Sequence, residues 1–302
     1  MSKKKIYKFK KSLPISCLCS IYFNTKMEEF SLSLKSLLFQ KYIPNQIIVV
    51  VDGPIKKNLE KYIEKLTKKN NLIRVIRFKK NQGLGKALNL GLKYCDNDIV
   101  ARFDSDDINL KRRLEIQYKY LIDNPEIDIL GSYIEEFKID ENTIFSRLKK
   151  VPSSNKSIYK IMDFRNPLNH PSIIFKKKKI LNSGSYISIQ FFEDYHLWLR
   201  CRLKNLHFHN LKIPLVAMKR EDSTTRRHGL NYAYCEFEFI KSCIKLNMIS
   251  HKFIFFYLIR LLIRLIPKNI LEYLFKFDFR RTNFSQNNKL TKYIKNLNIY
   301  TF

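Results

Sequence analysis

Acidic side chains are scarce in this sequence. The 302 residues contain 27 Asp and Glu against 57 Lys and Arg, which gives a formal net charge of +30. Such an excess favours a polyanionic neighbour, namely nucleic acid, an anionic membrane face or a phosphorylated substrate. A general preference for Lys, Asn and Ile along the chain explains the same excess, so charge alone selects no partner.

Cysteine motifs are also missing. None of the six cysteines forms the C-x-x-C spacing of a zinc or redox site. Cys17 and Cys19 are two residues apart in an apolar run, so they share one face if that run is a strand. We therefore expect buried, reduced thiols, which are typical of a cytosolic protein.

Long apolar runs are absent as well, since no segment reaches the roughly twenty uninterrupted apolar residues of a transmembrane helix. Lysines before the apolar run 13–23 give the N-terminus some likeness to a signal peptide. However, Pro14, Ser16 and Ser20 interrupt this run and no small-residue cleavage site follows. We interpret residues 1–12 as a basic tail and the apolar run as a first buried strand.

Short apolar runs alternate with helix-like stretches in the first half of the chain. Strands are predicted at 15–21, 46–51, 73–77 and 98–103, and helices at 27–40, 56–69, 83–94 and 110–121. In the first helix, Phe30, Leu34, Leu37 and Leu38 fall on one side. The alternation predicts an α/β fold with a mostly parallel, Rossmann-like mixed sheet flanked by helices. Binding sites in such sheets lie at the carboxyl ends of the strands.

The pattern changes after residue 125. Strands are predicted at 127–138 and 143–151, as a hairpin, and at 213–219; a loop at 166–175 leads into a further strand, and helices are predicted at 193–203 and 230–246. We therefore divide one domain, 13–228, into a nucleotide-sugar-binding half (13–125) and an acceptor half (126–228). Residues 229–302 are predicted to form a C-terminal helical extension.

The C-terminal extension contains an apolar stretch at 249–277 that Pro267 divides into two short helices. Arg260 and Arg264 are four residues apart and therefore share one helical face. If these helices lie on an anionic membrane surface, the two arginines can meet lipid phosphates. The alternative is a helical pair that packs on the core with both arginines at its rim, and the sequence does not decide between the two.

An acidic turn is the sharpest chemical feature. Asp104, Ser105, Asp106 and Asp107 directly follow the predicted strand 98–103. Carboxylates on a turn supply the hard oxygen ligands that Mg²⁺ and Mn²⁺ prefer, and such an ion can neutralise a departing nucleoside diphosphate. Taken alone, the turn is explained more simply if Asp106 or Asp107 caps the next helix.

Two further strand ends carry polar groups. Asp52 follows the second strand, and a turn with Gly83 and Gly85 joins the third strand to a helix. Glycines permit a close approach of the backbone, and a helix N-terminus favours an anion. Polar groups at three strand ends are hard to explain by capping alone. A plain turn role for the two glycines stays open, because the phosphate-binding loop is incomplete.

Together these segments resemble the family-two glycosyltransferases of GT-A fold. The resemblance covers residues 14–235 and rests on 14–16, 51–53, 81–89, 103–107, 169–172 and 193–200. Residues 51–55 and 226–229 are similar to the branch that acts on bacterial capsule, exopolysaccharide or lipopolysaccharide chains. The Gln-x-x-Arg-Trp signature of processive members is absent, which favours the addition of one sugar per encounter.

The resemblance implies roles in the donor half. Asp52 would accept a hydrogen bond from the uracil ring of a UDP-sugar, and Lys86 would approach the donor phosphates or nucleoside. Asp104 would reach the ribose and the metal, and Asp106 would bind Mn²⁺ or Mg²⁺ directly, whereas capping explains Asp107 at least as well. The implied donor-binding residues are Tyr22, Asp52, Asn81, Gly83, Lys86, Asp104 and Arg226.

Asp194 is the implied catalytic base. Inverting transfer requires a base that faces the anomeric carbon opposite the leaving diphosphate and takes the proton of the acceptor hydroxyl. Glu193 and Asp194 also begin a predicted helix, where acids serve equally well as first-turn charges. The implied acceptor-binding residues are His170, Glu193 and Arg200. Arg226 with Arg227 would pair with the diphosphate, or belongs to a solvated basic surface.

We therefore expect a hexosyl- or related glycosyltransferase that is inverting, metal-dependent and non-processive. It would move a sugar from a nucleotide-sugar donor to a glycan or lipid-linked acceptor, at the inner face of the plasma membrane and without nucleic acid. Two alternatives stay open. A metal-dependent nucleotidyltransferase would consume a nucleoside triphosphate and not need Asp194. A non-catalytic nucleic-acid-binding protein fits the charge, but the basic residues are widely spread and no recognisable motif is present.

Overall fold

Strands of one mixed sheet form the centre of the molecule. The computed structural model describes residues 11–141, 143–220, 228–266 and 284–299. Their strands are β1 (Ser12–Ile21), β2 (Ile43–Asp52), β3 (Ile73–Phe78), β4 (Ile99–Arg102), β5 (Ile108–Asn109), β6 (Ile129–Asp140), β7 (Thr143–Lys149), β8 (Ile174–Lys176), β9 (Phe208–Lys219) and β10 (Ser285–Gln286). The order is β10-β7-β6-β8-β4-β1-β2-β3, with β9 paired to β6 and β5 to β9.

Helices connect these strands. They are α1 (Met27–Leu38), α2 (Lys57–Lys69), α3 (Leu84–Lys93), α4 (Arg113–Asp123), α5 (Asn155–Ile161), α6 (Lys177–Asn182), α7 (Glu193–Leu203), α8 (Leu230–Lys245), α9 (Ile254–Leu265) and α10 (Asn288–Ile299). The sequence patterns missed α5 and α6, whereas α10 lies in the C-terminal region that was predicted to be helical. The two missed helices are short, and α5 begins with a local signal, because the Ser154 side chain accepts a hydrogen bond from the Ser157 N–H.

The first half of the chain forms the parallel part of the sheet. β1 pairs in parallel with β2 and β4, and β2 pairs in parallel with β3. β8 lies antiparallel between β4 and β6, and β6 and β7 form the predicted hairpin. The predicted α/β class with a mostly parallel mixed sheet is therefore confirmed.

The apolar residues of β1 alternate between two cores. Leu18 packs in the core formed with α3, α7 and α8. Cys17 and Cys19 pack in the opposite core with α1, α2 and α4, which also takes up the predicted apolar side of α1. All six cysteines are buried and free, as expected. Because both faces of β1 are covered, its sequence is a nearly continuous apolar run.

Five chain segments meet at one edge of the sheet. β1, β2, β3 and β4 all end there because they are parallel. β8 is antiparallel to β4, with Ile174 beside Ala101, so the residues before β8 reach the same edge. This arrangement brings the acidic turn, the glycine turn and the loop around His170 into one region.

The C-terminal region is more than the helical extension that we predicted. β10 pairs with β7, so this region adds a strand to the sheet. Leu290 and Ile294 of α10 pack in a third core with Phe137 of β6. Within the described ranges, no helix is both long enough and apolar enough to span a membrane.

The two arginines of α9 point towards α8. Arg260 pairs with the carboxylate of Glu236, and the Arg264 Nε donates to the same carboxylate at 3.0 Å. The Glu236 side chain is fully buried. The structure therefore favours the packed alternative for these arginines, and contact of the helix with a membrane stays a prediction.

Candidate active site

Asp52 at the end of β2 anchors the glycine turn. Its buried carboxylate accepts the Gln82 N–H at 2.7 Å and the Gly83 N–H at 2.9 Å. Asn81 donates its side-chain amide to the Asp52 carbonyl oxygen at 3.2 Å. The anion at the N-terminus of α3 is therefore the protein's own carboxylate. The expected contacts of Asp52 with uracil, and of Asn81 and Gly83 with the donor, stay predictions.

Two glycines are required around this anchor. Gly53 has φ +84°, and a Cβ there would lie 2.5 Å from the Asn81 backbone nitrogen. Gly83 has φ +88° and is the N-cap residue of α3. Both conformations lie in the left-handed region, which side chains disfavour. The turn is thus closely fitted to the end of β2.

Lys86 and Tyr22 lie at the same edge with accessible side chains. Lys86 is on the first turn of α3, and its ammonium donates to the Gln82 side chain at 3.3 Å. Tyr22 directly follows β1 and is 42% exposed. These positions are compatible with donor binding, and the contacts themselves stay predictions.

Arg102 is a site residue that sequence reasoning missed. It is buried in β4, and its guanidinium pairs with the carboxylate of Asp104. The Ser33 hydroxyl donates to the Asp104 carbonyl oxygen at 2.6 Å, so the turn is held from two sides. The available signal was a charged residue inside an apolar strand, two positions before Asp104. Such a buried charge is retained only with a partner.

Asp106 lies in a crowded acidic environment. Burial and the neighbouring Asp104 carboxylate raise the pKa of Asp106 to about 6, Glu29 adds to this, and Arg102 opposes it. A divalent cation would relieve this repulsion, so the two carboxylates fit such an ion. In the part of the chain that the structure describes, no group of three or more His, Cys, Asp or Glu is placed to hold a metal. Protein carboxylates alone therefore do not complete a coordination shell here.

Asp107 does not cap the following helix, so that interpretation is wrong. α4 begins only at Arg113, and its N-cap residue is Arg112, without a side-chain cap. Asp107 is buried, and its carboxylate accepts the Lys219 N–H at 2.9 Å. Burial and the Asp106 carboxylate raise the pKa of Asp107 well above its ordinary value. Asp107 therefore fixes the end of β9 against the acidic turn.

Asp194 lies in the first turn of α7 and is partly accessible. One of its carboxylate oxygens accepts the Asn166 side-chain amide at 2.6 Å, and the other accepts the Tyr195 N–H at 2.7 Å. The first-turn role that the sequence left open is therefore observed, and a role as base stays a prediction. Asn166 was not singled out from sequence, because nothing local links it to a residue 28 positions later.

The start of α7 packs against the start of α3. A Cβ at Gly85 would lie inside van der Waals contact of the Ile187 carbonyl oxygen, and 3.2 Å from Glu193 Cγ. Only glycine fits this approach. Glu193 is buried there, beside the donor-side helix. Its expected contact with the acceptor stays a prediction.

His170 and Tyr186 occupy the space between the acidic turn and α7. The His170 Nε2 and the Tyr186 hydroxyl are 3.0 Å apart. Burial and then Arg102 lower the pKa of His170 well below its ordinary value, so the imidazole is neutral. Burial raises the pKa of Tyr186. Arg102 lowers this pKa, whereas Asp194 and Asp104 raise it further. Tyr186 is therefore a buried, protonated partner of His170.

Arg200 is held by hydrogen bonds to the loop before α7 and to His196. Its guanidinium donates to the carbonyl oxygens of Ser183 at 2.6 Å and Ser185 at 2.5 Å, and to the His196 Nδ1 at 3.1 Å. These bonds hold the loop before α7, and the expected acceptor contact stays a prediction. Arg226 and Arg227 lie outside the described residues.

The fold is shared with solved structures. The Staphylococcus aureus protein TarS, residues 1–349, in complex with UDP-GlcNAc superposes with a TM-score of 0.56 and 17% sequence identity, covering 75% of this chain and 65% of that chain. The same residues in complex with UDP superpose with a TM-score of 0.54. At this identity the likeness shows the fold, which is the GT-A fold.

Sequence relatives cover most of the chain. The amylovoran biosynthesis glycosyltransferase AmsE of Erwinia amylovora is 35% identical over 87% of this chain and 98% of its own length. The Escherichia coli UDP-Gal:alpha-D-GlcNAc-diphosphoundecaprenol beta-1,3-galactosyltransferase is 35% identical over 88% of this chain and 96% of its own. The O-antigen biosynthesis glycosyltransferase WbnJ of Escherichia coli is 32% identical over 73% of this chain and 85% of its own length.

The family model described as "Glycosyl transferase family 2" matches residues 21–183, which include the glycine turn, the acidic turn and His170. Together with relatives that match nearly end to end, this assigns both the family and the general activity. The chain is a glycosyltransferase and belongs to glycosyl transferase family 2.

Proposed function

We propose that the protein transfers one sugar, with inversion, from a UDP-sugar to a hydroxyl of a lipid-linked surface glycan, in a metal-dependent and non-processive reaction. The observation that carries the proposal is the convergence of the Asp52-anchored turn, the acidic turn and Asp194 at one edge of the sheet. The close approach of Gly85 to Ile187 and Glu193 brings the donor and acceptor sides together there.

The proposed donor is a UDP-sugar. Two comparisons support this, since one relative is named for UDP-Gal and one solved structure of the same fold holds UDP-GlcNAc. Lys86 lies at the start of α3, where an ammonium can approach a diphosphate. Tyr22 offers an accessible aromatic ring at the end of β1 for the base.

The proposed metal ligands are Asp104 and Asp106, with Mn²⁺ or Mg²⁺ as the ion. The ion would neutralise charge on the departing diphosphate. Because two carboxylates leave most of the coordination shell open, we expect the donor diphosphate and water to supply the other ligands. Arg102 holds Asp104 from inside the protein, so this carboxylate is already oriented before the ion arrives.

The proposed base is Asp194. The Asn166 amide occupies one carboxylate oxygen and fixes the orientation of the group. Proton removal from the acceptor hydroxyl then requires that hydroxyl to come within hydrogen-bond distance of the carboxylate. His170 is partly accessible, and its Nε2 is already bonded to the buried Tyr186 hydroxyl, so Tyr186 fixes the imidazole in place.

The proposed acceptor is a lipid-linked glycan at the inner face of the plasma membrane. A diphosphoundecaprenol-linked sugar is named in one relative's acceptor. The net charge of +30 suits an enzyme that works beside phosphates and anionic lipids.

Thermal unfolding with ligands tests the donor and metal assignments. UDP with Mn²⁺ should raise the unfolding temperature, and Asp106→Ala should abolish this response. Asp123→Ala, which removes an exposed carboxylate at the end of α4, is the matched control and should respond like the wild type. Stabilisation by a nucleoside triphosphate but not by UDP would instead favour a nucleotidyltransferase. Binding of DNA or RNA without any nucleotide effect would contradict the proposal as well.

A further inference from the structure

α9 presents an apolar face without charge to the outside. Phe255 is 73% exposed and Leu262 is 65% exposed. Leu258, Ile259 and Leu265 are about half exposed. Their spacing of three and four residues places them on one side of the helix. Tyr257, Arg260 and Arg264 lie on the other side, towards α8. We call the five exposed residues the α9 face.

Internal pairing explains why the α9 face carries no charge. Arg260 and Arg264 are both paired with the fully buried Glu236 of α8, so neither guanidinium is directed outward. α8 adds its own exposed apolar side chains, Leu230, Tyr234 and Phe237, spaced four and three residues apart. Eight exposed apolar side chains on two packed helices are a concentration typical of an interaction site.

Most charges around the α9 face are basic. Lys245 lies at the end of α8, Lys252 precedes α9, and Lys241 is exposed on α8, where it pairs with Glu238 at 3.7 Å. Arg165, next to Phe164, is exposed too. An apolar helix face with basic residues at its border is the pattern of a helix that lies in the interface of an anionic bilayer. A second copy fits less well, because each copy carries a net charge of +30.

The N-terminal end of α9 is joined to the acceptor side of the site. Phe164 packs against Phe253 and Phe256, with ring centroids 4.5 and 5.7 Å away. Two residues later, Asn166 donates its hydrogen bond to Asp194.

A buried tyrosine pair makes a second connection between α9 and α7. The hydroxyl of Tyr257, the buried residue of α9, donates to the Asp163 carbonyl oxygen at 2.7 Å. It also lies 3.3 Å from the hydroxyl of Tyr195, the residue after Asp194. α9 is therefore fixed to the helix that carries the proposed base.

From these contacts we propose that the α9 face binds the surface of an anionic lipid bilayer and places Asp194 beside it. α9 has 12 residues and spans about 18 Å, so it lies along the bilayer rather than across it. The inference rests on the proposed function, because a membrane-held acceptor would then enter the site from the side of Phe164 and Asn166.

Vesicle flotation of the full chain tests this surface without any sugar transfer. The chain should float with vesicles of phosphatidylcholine and phosphatidylglycerol, and less with phosphatidylcholine alone. Phe255→Glu combined with Leu262→Glu should reduce the bound fraction at least tenfold. Ile122→Glu is the matched control, because Ile122 is 58% exposed on α4, across the sheet from α8, and should bind like the wild type.

Transfer assays separate this inference from the proposed function. The double variant should lose transfer to a lipid-linked acceptor in vesicles, but keep UDP-dependent stabilisation and transfer to a water-soluble acceptor. Equal flotation of the double variant and the wild type would overturn the inference. So would a dimer in light scattering that the same two substitutions dissociate, with no vesicle binding. Vesicle binding that depends on the α9 face, in a chain that does not respond to UDP, would keep the surface and reject the proposed function.

Discussion

Asp52 and Gly83 are joined by a hydrogen bond of 2.9 Å from the glycine N–H to the carboxylate. The other carboxylate oxygen takes the N–H of Gln82. One buried side chain thus fixes the turn that leads into α3, and with it the position of Lys86. The geometry of the proposed donor site depends on this anchor.

Asp52→Asn should weaken both the turn and the binding of UDP. An asparagine has one acceptor oxygen, so its amide group would face one of the two backbone N–H groups. We expect the free energy of unfolding to fall by about 1–3 kcal/mol, the usual effect of leaving a buried polar group unpaired. Urea denaturation and calorimetric titration with UDP measure the two effects.

Asp96→Asn is the control for this prediction. Asp96 accepts a hydrogen bond from Gln46 at 2.5 Å, at the opposite edge of the sheet. The Asp96→Asn variant should bind UDP with unchanged affinity. Equal UDP affinity in the two variants and the wild type would contradict the anchoring role of Asp52.

Arg102→Met should impair the acidic turn. The substitution removes the cation that pairs with Asp104 from inside the protein. We expect kcat/KM to fall at least about tenfold, which corresponds to about 1.4 kcal/mol, and the stabilisation by UDP with Mn²⁺ to shrink. Arg102→Lys keeps the charge without the planar group, so it should give an intermediate result.

The matched control for Arg102 is an exposed pair. Arg77 contacts Glu60 at 2.5 Å, with both side chains partly in solvent. Exposed pairs contribute about 0–1 kcal/mol, so Arg77→Met should have little effect on stability or on the metal response. A comparable loss in both variants would show that burial of Arg102 has no special role.

Asp194→Asn should abolish transfer while donor binding persists. General-base catalysis contributes about 10²–10⁴-fold to rate, so kcat should fall by that order, with UDP affinity unchanged. Asn166→Ala, which removes the orienting amide, should give a smaller decrease in kcat. A radiolabelled sugar-transfer assay with UDP titration separates the two parameters. Full activity of Asp194→Asn would contradict the role of Asp194 as the base.

The stability of the fold should depend on pH through His196. Its Nδ1 accepts the Arg200 Nε–H, so its Nε2–H donates to Ser242 at 2.9 Å. Burial and then Arg200 lower the pKa of His196 to about 4. Between the ordinary His value and this one, the unfolded chain takes up a proton that the folded chain does not. The free energy of unfolding therefore falls as pH decreases through that range.

His196→Asn removes this titration and keeps an acceptor for Arg200. Between about pH 7.5 and about pH 5, the wild type should lose on the order of 1–2 kcal/mol more stability than the variant. Chemical denaturation at both pH values measures the difference. Parallel losses in the two proteins would show that His196 does not titrate in this way.

Local patterns predicted the sheet and the position of the site. The two-residue period of β1 placed Cys17 and Cys19 on one face. The ends of the predicted strands placed Asp52 and Asp104 at the same edge of the sheet. Such features depend only on neighbouring residues, so a single sequence contains them.

Long-range partners could not be predicted in the same way. Asp107 was interpreted as a helix cap because its true partner, Lys219, is 112 residues away. The sequence left the direction of Arg260 and Arg264 open, because their partner Glu236 lies 24 and 28 residues earlier in the chain. The roles of Asn166 and Arg102 likewise emerge only when separate segments meet.

The pairing of β10 with β7 determines when the edge of the sheet can close during synthesis. The Asn287 side chain donates to Ser146, which precedes it by 141 residues, and β10 covers the outer strand of the sheet. During synthesis, β7 leaves the ribosome long before its partner exists, so its backbone groups stay open to other chains. This border can close only after residue 286 has been synthesised, and a protein that lacks β10 would be prone to aggregation along it.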